Sequence, residues 1–92
     1  MSPRPRLIRD LRKHPAIKYY KPQGVPLKML EIVEITHEEW EAIRLKDVKK
    51  LNQAEAAKKM NTSQSTFQRI LTKAHSKLGT AIVEGNAIKI IT

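Results

Sequence analysis

Gln64, Ser65, Gln68 and Arg69 stand at offsets that gather them on one side of a helix. A guanidinium matches two acceptors on guanine, and a primary amide matches the donor and acceptor of adenine, so these are side chains suited to reading base edges. Ser63, Thr66, Thr72 and Lys73 surround them, and Gln53 and Lys58 lie shortly upstream. Hydroxyl, amide and ammonium groups of this kind suit phosphate oxygens, which fix register without specifying sequence. None of these residues is acidic, and an ordinary solvated helix face need not have that bias.

Positioning such a set requires a helix held at a fixed angle, and the stretch from Gln53 to Thr72 predicts one. Asn52 and Glu55 form a capping-box pattern at the start of a first helix, which contains no breaker before Asn61. Asn61 tolerates the left-handed backbone conformation that ends a helix, and Ser63 is a good cap for the next one. Ala57, Asn61 and Phe67 have the separations of a small residue, a turn and an apolar wedge in a helix-turn-helix, with Ala56, Met60 and Ile70 as further core positions. The second helix carries Phe67, Ile70, Leu71, Ala74 and Leu78 on one face and is expected to continue through Ala81 and Ile82 to Glu84. Gly79 allows a bend, and Gly85 is placed to stop it.

The composition excludes several classes. The 92 residues allow one domain with a modest core, and 40% hydrophobic with 29% charged residues is a folded balance. No apolar run could cross a bilayer and no signal-peptide core is present, so no membrane partner and a cytoplasmic location are expected. Zero cysteines exclude disulfides and cysteine-held metals. His14, His37 and His75 are widely spaced and no phosphate loop or nucleophile motif occurs, so neither an enzyme, a metal, a cofactor nor a small-molecule ligand is expected. The formal charge of +9 implies an anionic partner. It is uneven: residues 1–28 carry +7, residues 29–60 carry −1 and residues 61–92 carry +3. Aromatic content of 4% provides few rings for stacking unpaired bases, which favours double-stranded DNA over single strands. A second reading stays open, a protein-interaction module docking this basic surface on an acidic partner of the transcription machinery.

Residues 1–24 hold Pro3, Pro5, Pro15 and Pro22 and are expected to form an irregular basic arm and linker, in which Arg4 and Arg6 suit a narrow minor groove. Tyr19 and Tyr20 begin a turn-rich connection and would pin the arm to the domain formed by residues 25–92. Leu30 to Ile35 and Ala87 to Ile91 have strand composition and are natural partners. Two short strands are marginal alone and need helices to pack on or a second subunit, so a homodimer through them stays open. Thr36 and Glu39 form another capping-box pattern, opening a helix from His37 to about Lys49. Trp40, Ile43, Asp47 and Leu51 mark one stripe of it, with Leu45 and Val48 to the side, so cover from two directions is expected. His37 and His75 are expected to point outward. The fold class is thus mainly α, a three-helix helix-turn-helix core with a basic arm and two short β-strands.

Several blocks in order carry a resemblance: Pro3-Arg4-Pro5-Arg6, then Tyr20 to Leu27 (YKPQGVPL), Glu41 to Asp47 (EAIRLKD), Gln53 to Ala57 (QAEAA), Ser63 to Leu71 (SQSTFQRIL) and Val83 to Ile88 (VEGNAI). In these the chain resembles uncharacterised protein family 0251, also called domain of unknown function 134, over nearly its whole length. The resemblance implies a helix-turn-helix similar to region 4 of bacterial sigma factors, DNA binding and a role in transcription. Members of that family often carry cysteines in the leading segment, and some are fused to a domain resembling those that bind iron–molybdenum cofactor. No cysteine occurs in this chain, and such a second domain is not expected of it.

Overall fold

The computed structural model describes residues 17–91. Three strands, β1 (Ile17–Tyr20), β2 (Ile32–Ile35) and β3 (Ala87–Ile91), form a sheet in the order β1-β3-β2. Three helices lie between β2 and β3: α1 (His37–Ile43), α2 (Gln53–Lys59) and α3 (Gln64–Glu84). The protein is mainly helical with short strands. Because the helices intervene, β3 returns parallel to β2, with Ile35 beside Ile90, whereas β1 runs antiparallel to β3, with Tyr20 beside Ile88.

The expected strand pair exists, but its leading member is shorter than Leu30 to Ile35. A 3₁₀ turn occupies Leu27–Met29, and pairing begins at Ile32. A third strand was not anticipated: Ile17–Tyr20 lies within the segment expected to be irregular, and pairing with β3 supplies the order that its own composition does not advertise. The helices that the strand pair needed for support are also present, since α1 and α3 pack on the sheet and bury Ile35. The arm residues Arg4 and Arg6 lie outside the described residues.

Both capping boxes form. Thr36 Oγ1 accepts from the Glu39 amide at 3.2 Å while Glu39 Oε1 accepts from the Thr36 amide at 2.9 Å, and Asn52 and Glu55 make the same exchange at 2.8 and 3.2 Å. The helix opened by Thr36 does not stay α-helical to Lys49. At Arg44–Val48 it widens to a π-helical turn, with the Lys49 amide donating to the Arg44 carbonyl at 2.9 Å, and Lys50 then takes a positive φ of 62°. The widening changes the phase of the side chains that follow. Leu45 is buried, but Val48 is 68% exposed, so cover from two directions does not extend that far. Trp40 and Ile43 are half-buried, while Asp47 is exposed and meets His75 of α3, Nε2 to Oδ2, at 2.7 Å.

The core is a cluster of Ala42, Leu45, Ala56, Ala57, Phe67 and Leu71, with Ile43, Leu51, Met60 and Ile70 packed against it. Three alanines in so small a core let the helix backbones approach closely, and the fully buried Phe67 ring fills the angle between α2 and α3. The turn between these helices depends on Asn61 at φ 59°, and α3 ends at Gly85 with φ 71°. α3 runs unbroken through Gly79. Its buried face reaches Ala81, but Ile82 is 73% exposed and does not continue that face.

Candidate nucleic-acid interface

The surface built by α2, the turn and the first half of α3 begins at Ser63, whose Oγ accepts from the Thr66 amide at 3.1 Å and caps α3. The Ser63 hydroxyl also donates to Thr66 Oγ1 at 2.9 Å and lies 3.3 Å from Ser65 Oγ. A small hydroxyl network therefore surrounds the helix start. There is no acid in the first turn of α3, so its positive dipole end is not neutralised. Gln64, Ser65, Gln68, Arg69, Thr72 and Lys73 are all exposed, and Thr66 is half-buried. Phe67, Leu71 and Ala74 face inward, and this fixes the rotation that turns those polar residues outward.

Two contacts preorganise the exposed set. Gln68 Nε2 donates to Thr72 Oγ1 at 3.1 Å, and Arg69 Nη2 lies 3.5 Å from Thr66 Oγ1. Gln53 is not free: its Nε2 donates to the Gln64 carbonyl at 3.2 Å and ties the start of α2 to the start of α3. Lys58 is exposed at the edge of a shallow recess lined by Asn61, Thr62, Ser63 and Gln64. The expected contact residues other than the arm therefore fall on one connected surface.

A groove runs along this surface between α3 and the start of α1, and sequence reasoning missed part of its lining. Gln53, Ser65, Gln68, Arg69, Thr72 and Lys73 line it together with Thr36, Glu38, Ser76 and Lys77. Ser76 continues the spacing of Gln68 and Thr72 and could have been found from it. Glu38 stands in the first turn of α1, where a carboxylate suits the positive end of the helix, and nothing local in the sequence indicates that it lines a groove with α3.

Beneath the groove lies a charge pair that holds α3 to α1 and β2. Lys77 Nζ donates to Glu39 Oε1 at 2.8 Å and to the Glu34 carbonyl at 2.9 Å. The Glu39 side chain is 5% exposed. Burial pushes its carboxyl up, but the hydrogen bonds from Lys77 and the Thr36 amide outweigh this and hold it below the ordinary carboxylate range. On the other side of α1, Glu41 is lowered chiefly by its hydrogen bond from Arg44, which pairs with it at 2.6 Å and also lies over the Trp40 ring. Arg44 is therefore committed within its own helix. Neither pair supplies a metal site, and among the described residues no group of three or more candidate ligands is present. No helix among them is long and apolar enough to cross a membrane.

These features describe a small mainly helical protein that presents a polar, partly cationic helix face beside a compact turn. The chain belongs to the family described as protein of unknown function DUF134, whose model matches residues 1–92. It is 48% identical over 88 residues to a UPF0251 protein of Dehalococcoides mccartyi, an alignment covering 96% of this chain and 75% of that one. A UPF0251 protein of Caldanaerobacter subterraneus is 50% identical with the same coverage. A third, from Rhodospirillum rubrum, is 47% identical over 96% of this chain and 62% of its own length. No solved structure matches.

Proposed function

We propose that the protein binds double-stranded DNA in the cytoplasm and regulates transcription, inserting the first half of α3 into the major groove. The observation that carries this reading is the exposed, acid-free face of Gln64, Ser65, Gln68, Arg69, Thr72 and Lys73 on a helix whose rotation is fixed by Phe67 and Leu71. Arg69 and Gln68 read guanine and adenine edges, with Gln64 and Ser65 beside them. Ser63, Thr66, Thr72, Lys58 and Lys73 hold phosphates, helped by the positive end of α3. Gln53 acts chiefly by bracing the start of α3, through its bond to the Gln64 carbonyl. Arg4 and Arg6 follow the backbone into the adjacent minor groove. No catalytic step, metal or cofactor enters this mechanism.

Glu38 gives the groove a polarity. A carboxylate in the groove lining repels phosphate from its α1 wall, so the DNA backbone is favoured at Lys58 and Lys73 rather than against α1. The test is selection of bound sequences from a random duplex pool. A motif containing guanine or adenine steps that weakens when Arg69 or Gln68 is replaced is the expected result. A pool that emerges without enrichment, from a protein retained equally by any polyanion, would sink the sequence-reading role and direct attention to an acidic protein partner.

A further inference from the structure

The strand order leaves β1 at an edge of the sheet, and among the described residues nothing covers its outer side. All of its residues are exposed, including Ile17 at 55%, Tyr19 at 45% and Tyr20 at 55%. The end of α3 reaches the same edge. Tyr20 and Ile82 line one shallow recess with Pro22 and Ile88, and Ile82 and Val83 are 73% and 84% exposed. Ile17, Tyr19, Tyr20 and Ile82, four of the large apolar side chains that face water, therefore lie along one margin, Ile17 and Tyr19 on the face of β1 opposite Tyr20 and Ile82. An uncovered edge strand is a template for pairing; this one has no proline and pairs in unbroken register, and its single charge, Lys18, lies on the face of Tyr20, where a pairing partner has to satisfy it.

We infer that this margin is the contact surface for a second copy of the chain, joined by antiparallel pairing of β1 with its two-fold mate into a continuous six-stranded sheet. Self-complementarity selects the occupant. Alternation along β1 puts Lys18 and Tyr20 on one face and Ile17 and Tyr19 on the other, and a two-fold axis normal to the sheet pairs only residues of like face. Centring on Lys18 would oppose two like charges. Centring on Tyr19 instead sets the two Tyr19 rings together and Lys18 against Tyr20 of the second copy, pairs of the aromatic and cation–aromatic kinds that stabilise sheets. The two helix ends then bring Ile82 into the contact from the Tyr20 side of the sheet. The exposed parts of Ile17, Tyr19, Tyr20 and Ile82 amount to roughly 500 Å² per chain, so complete burial in a pair removes at most about 1,000 Å² from water, the minimum expected of a specific interface.

This inference does not rest on DNA binding, and its test contains no nucleic acid. The mass of the full chain is measured by sedimentation equilibrium over a concentration series, beside Ile82→Glu, Tyr19→Lys and a control, Val48→Glu, whose site is exposed but distant from the margin. The unaltered chain and the control are expected at twice the 10.6 kDa chain mass. Ile82→Glu, at a position with little to lose in the monomer, should raise the dimer dissociation constant at least roughly tenfold while its circular dichroism stays unchanged. Tyr19→Lys should do the same through the strand edge. A monomeric unaltered chain at about 100 μM, well above the dissociation constants of specific pairs, would overturn the inference. So would a dimer that both margin variants leave intact.

Discussion

Replacing Lys77 by Met removes the cation that holds Glu39 in the charged form while keeping most of the apolar stem. The Glu39 carboxylate is 5% exposed and accepts from Lys77 Nζ at 2.8 Å and from the Thr36 amide at 2.9 Å. In the variant it keeps only its α1 cap bonds. Breaking a fully buried ion pair by deleting one partner costs about 3–5 kcal/mol. Lys77 is 25% exposed, so water screens part of the pair, and the expected loss is about 2 kcal/mol at neutral pH. In a domain of this size that lowers the thermal midpoint by roughly 8–16 °C. The pH dependence distinguishes this cause from lost packing. In the unaltered chain the folded Glu39 carboxyl is lowered, so it contributes stability above its ordinary range near 4.5, and that contribution fades as pH falls through the lower folded value. Without Lys77 the upward push of burial is opposed only by the Thr36 bonds, and protonation should relieve the variant. Urea denaturation at pH 7 and pH 4 measures both chains, and the gap between them should narrow at the lower pH. A loss under about 0.5 kcal/mol, or a gap that is the same at both pH values, would refute the argument.

Three other outcomes follow from the same structure. Phe67→Ala should cost about 3–5 kcal/mol in denaturant titration and leave little folded protein, because the ring is fully buried between α2 and α3, whereas Phe67→Leu should cost far less. Lys50→Gly should raise the denaturation midpoint modestly, by up to about 1 kcal/mol, since φ 62° suits glycine, while Asn61→Val at φ 59° should lower it by about 1–2 kcal/mol. Arg69→Ala should lose about 1–3 kcal/mol on a selected duplex and much less on random duplex, read by fluorescence anisotropy.

The features legible in the sequence were those set by neighbours a few residues apart. Thr36 with Glu39, Asn52 with Glu55, Ser63 and Gly85 all mark helix ends through local hydrogen bonding or φ preference, and each stands where its spacing put it. The turn at Asn61 and the burial of Ala57 and Phe67 belong to the same short range. What escaped depends on distant partners. β1 is ordered by β3 some seventy positions later, so its tyrosines read as a loop. The π-helical turn shifts the phase of the chain after Arg44, which is why Val48 faces water although helical spacing placed it beside the core. Ile82 is exposed because the buried face of α3 narrows to Ala81 at its end, where the sheet edge leaves one side open. Glu39 was read correctly as a cap and incompletely as a charge, because Lys77 lies 38 residues away. The polar face of α3 could be listed from spacing, whereas the bracing bond of Gln53 and the presence of Glu38 across the groove could not.

The most direct measurement of the central claim is the salt dependence of duplex binding by the unaltered chain and by Lys58→Ala and Lys73→Ala. With Lys58, Arg69 and Lys73 at the backbone or groove, the slope of log K against log salt should be about −2 to −3 or steeper, and each lysine removed should flatten it by about 1. Binding that ignores salt, or a slope that neither lysine changes, would contradict an approach of DNA to this face of α3.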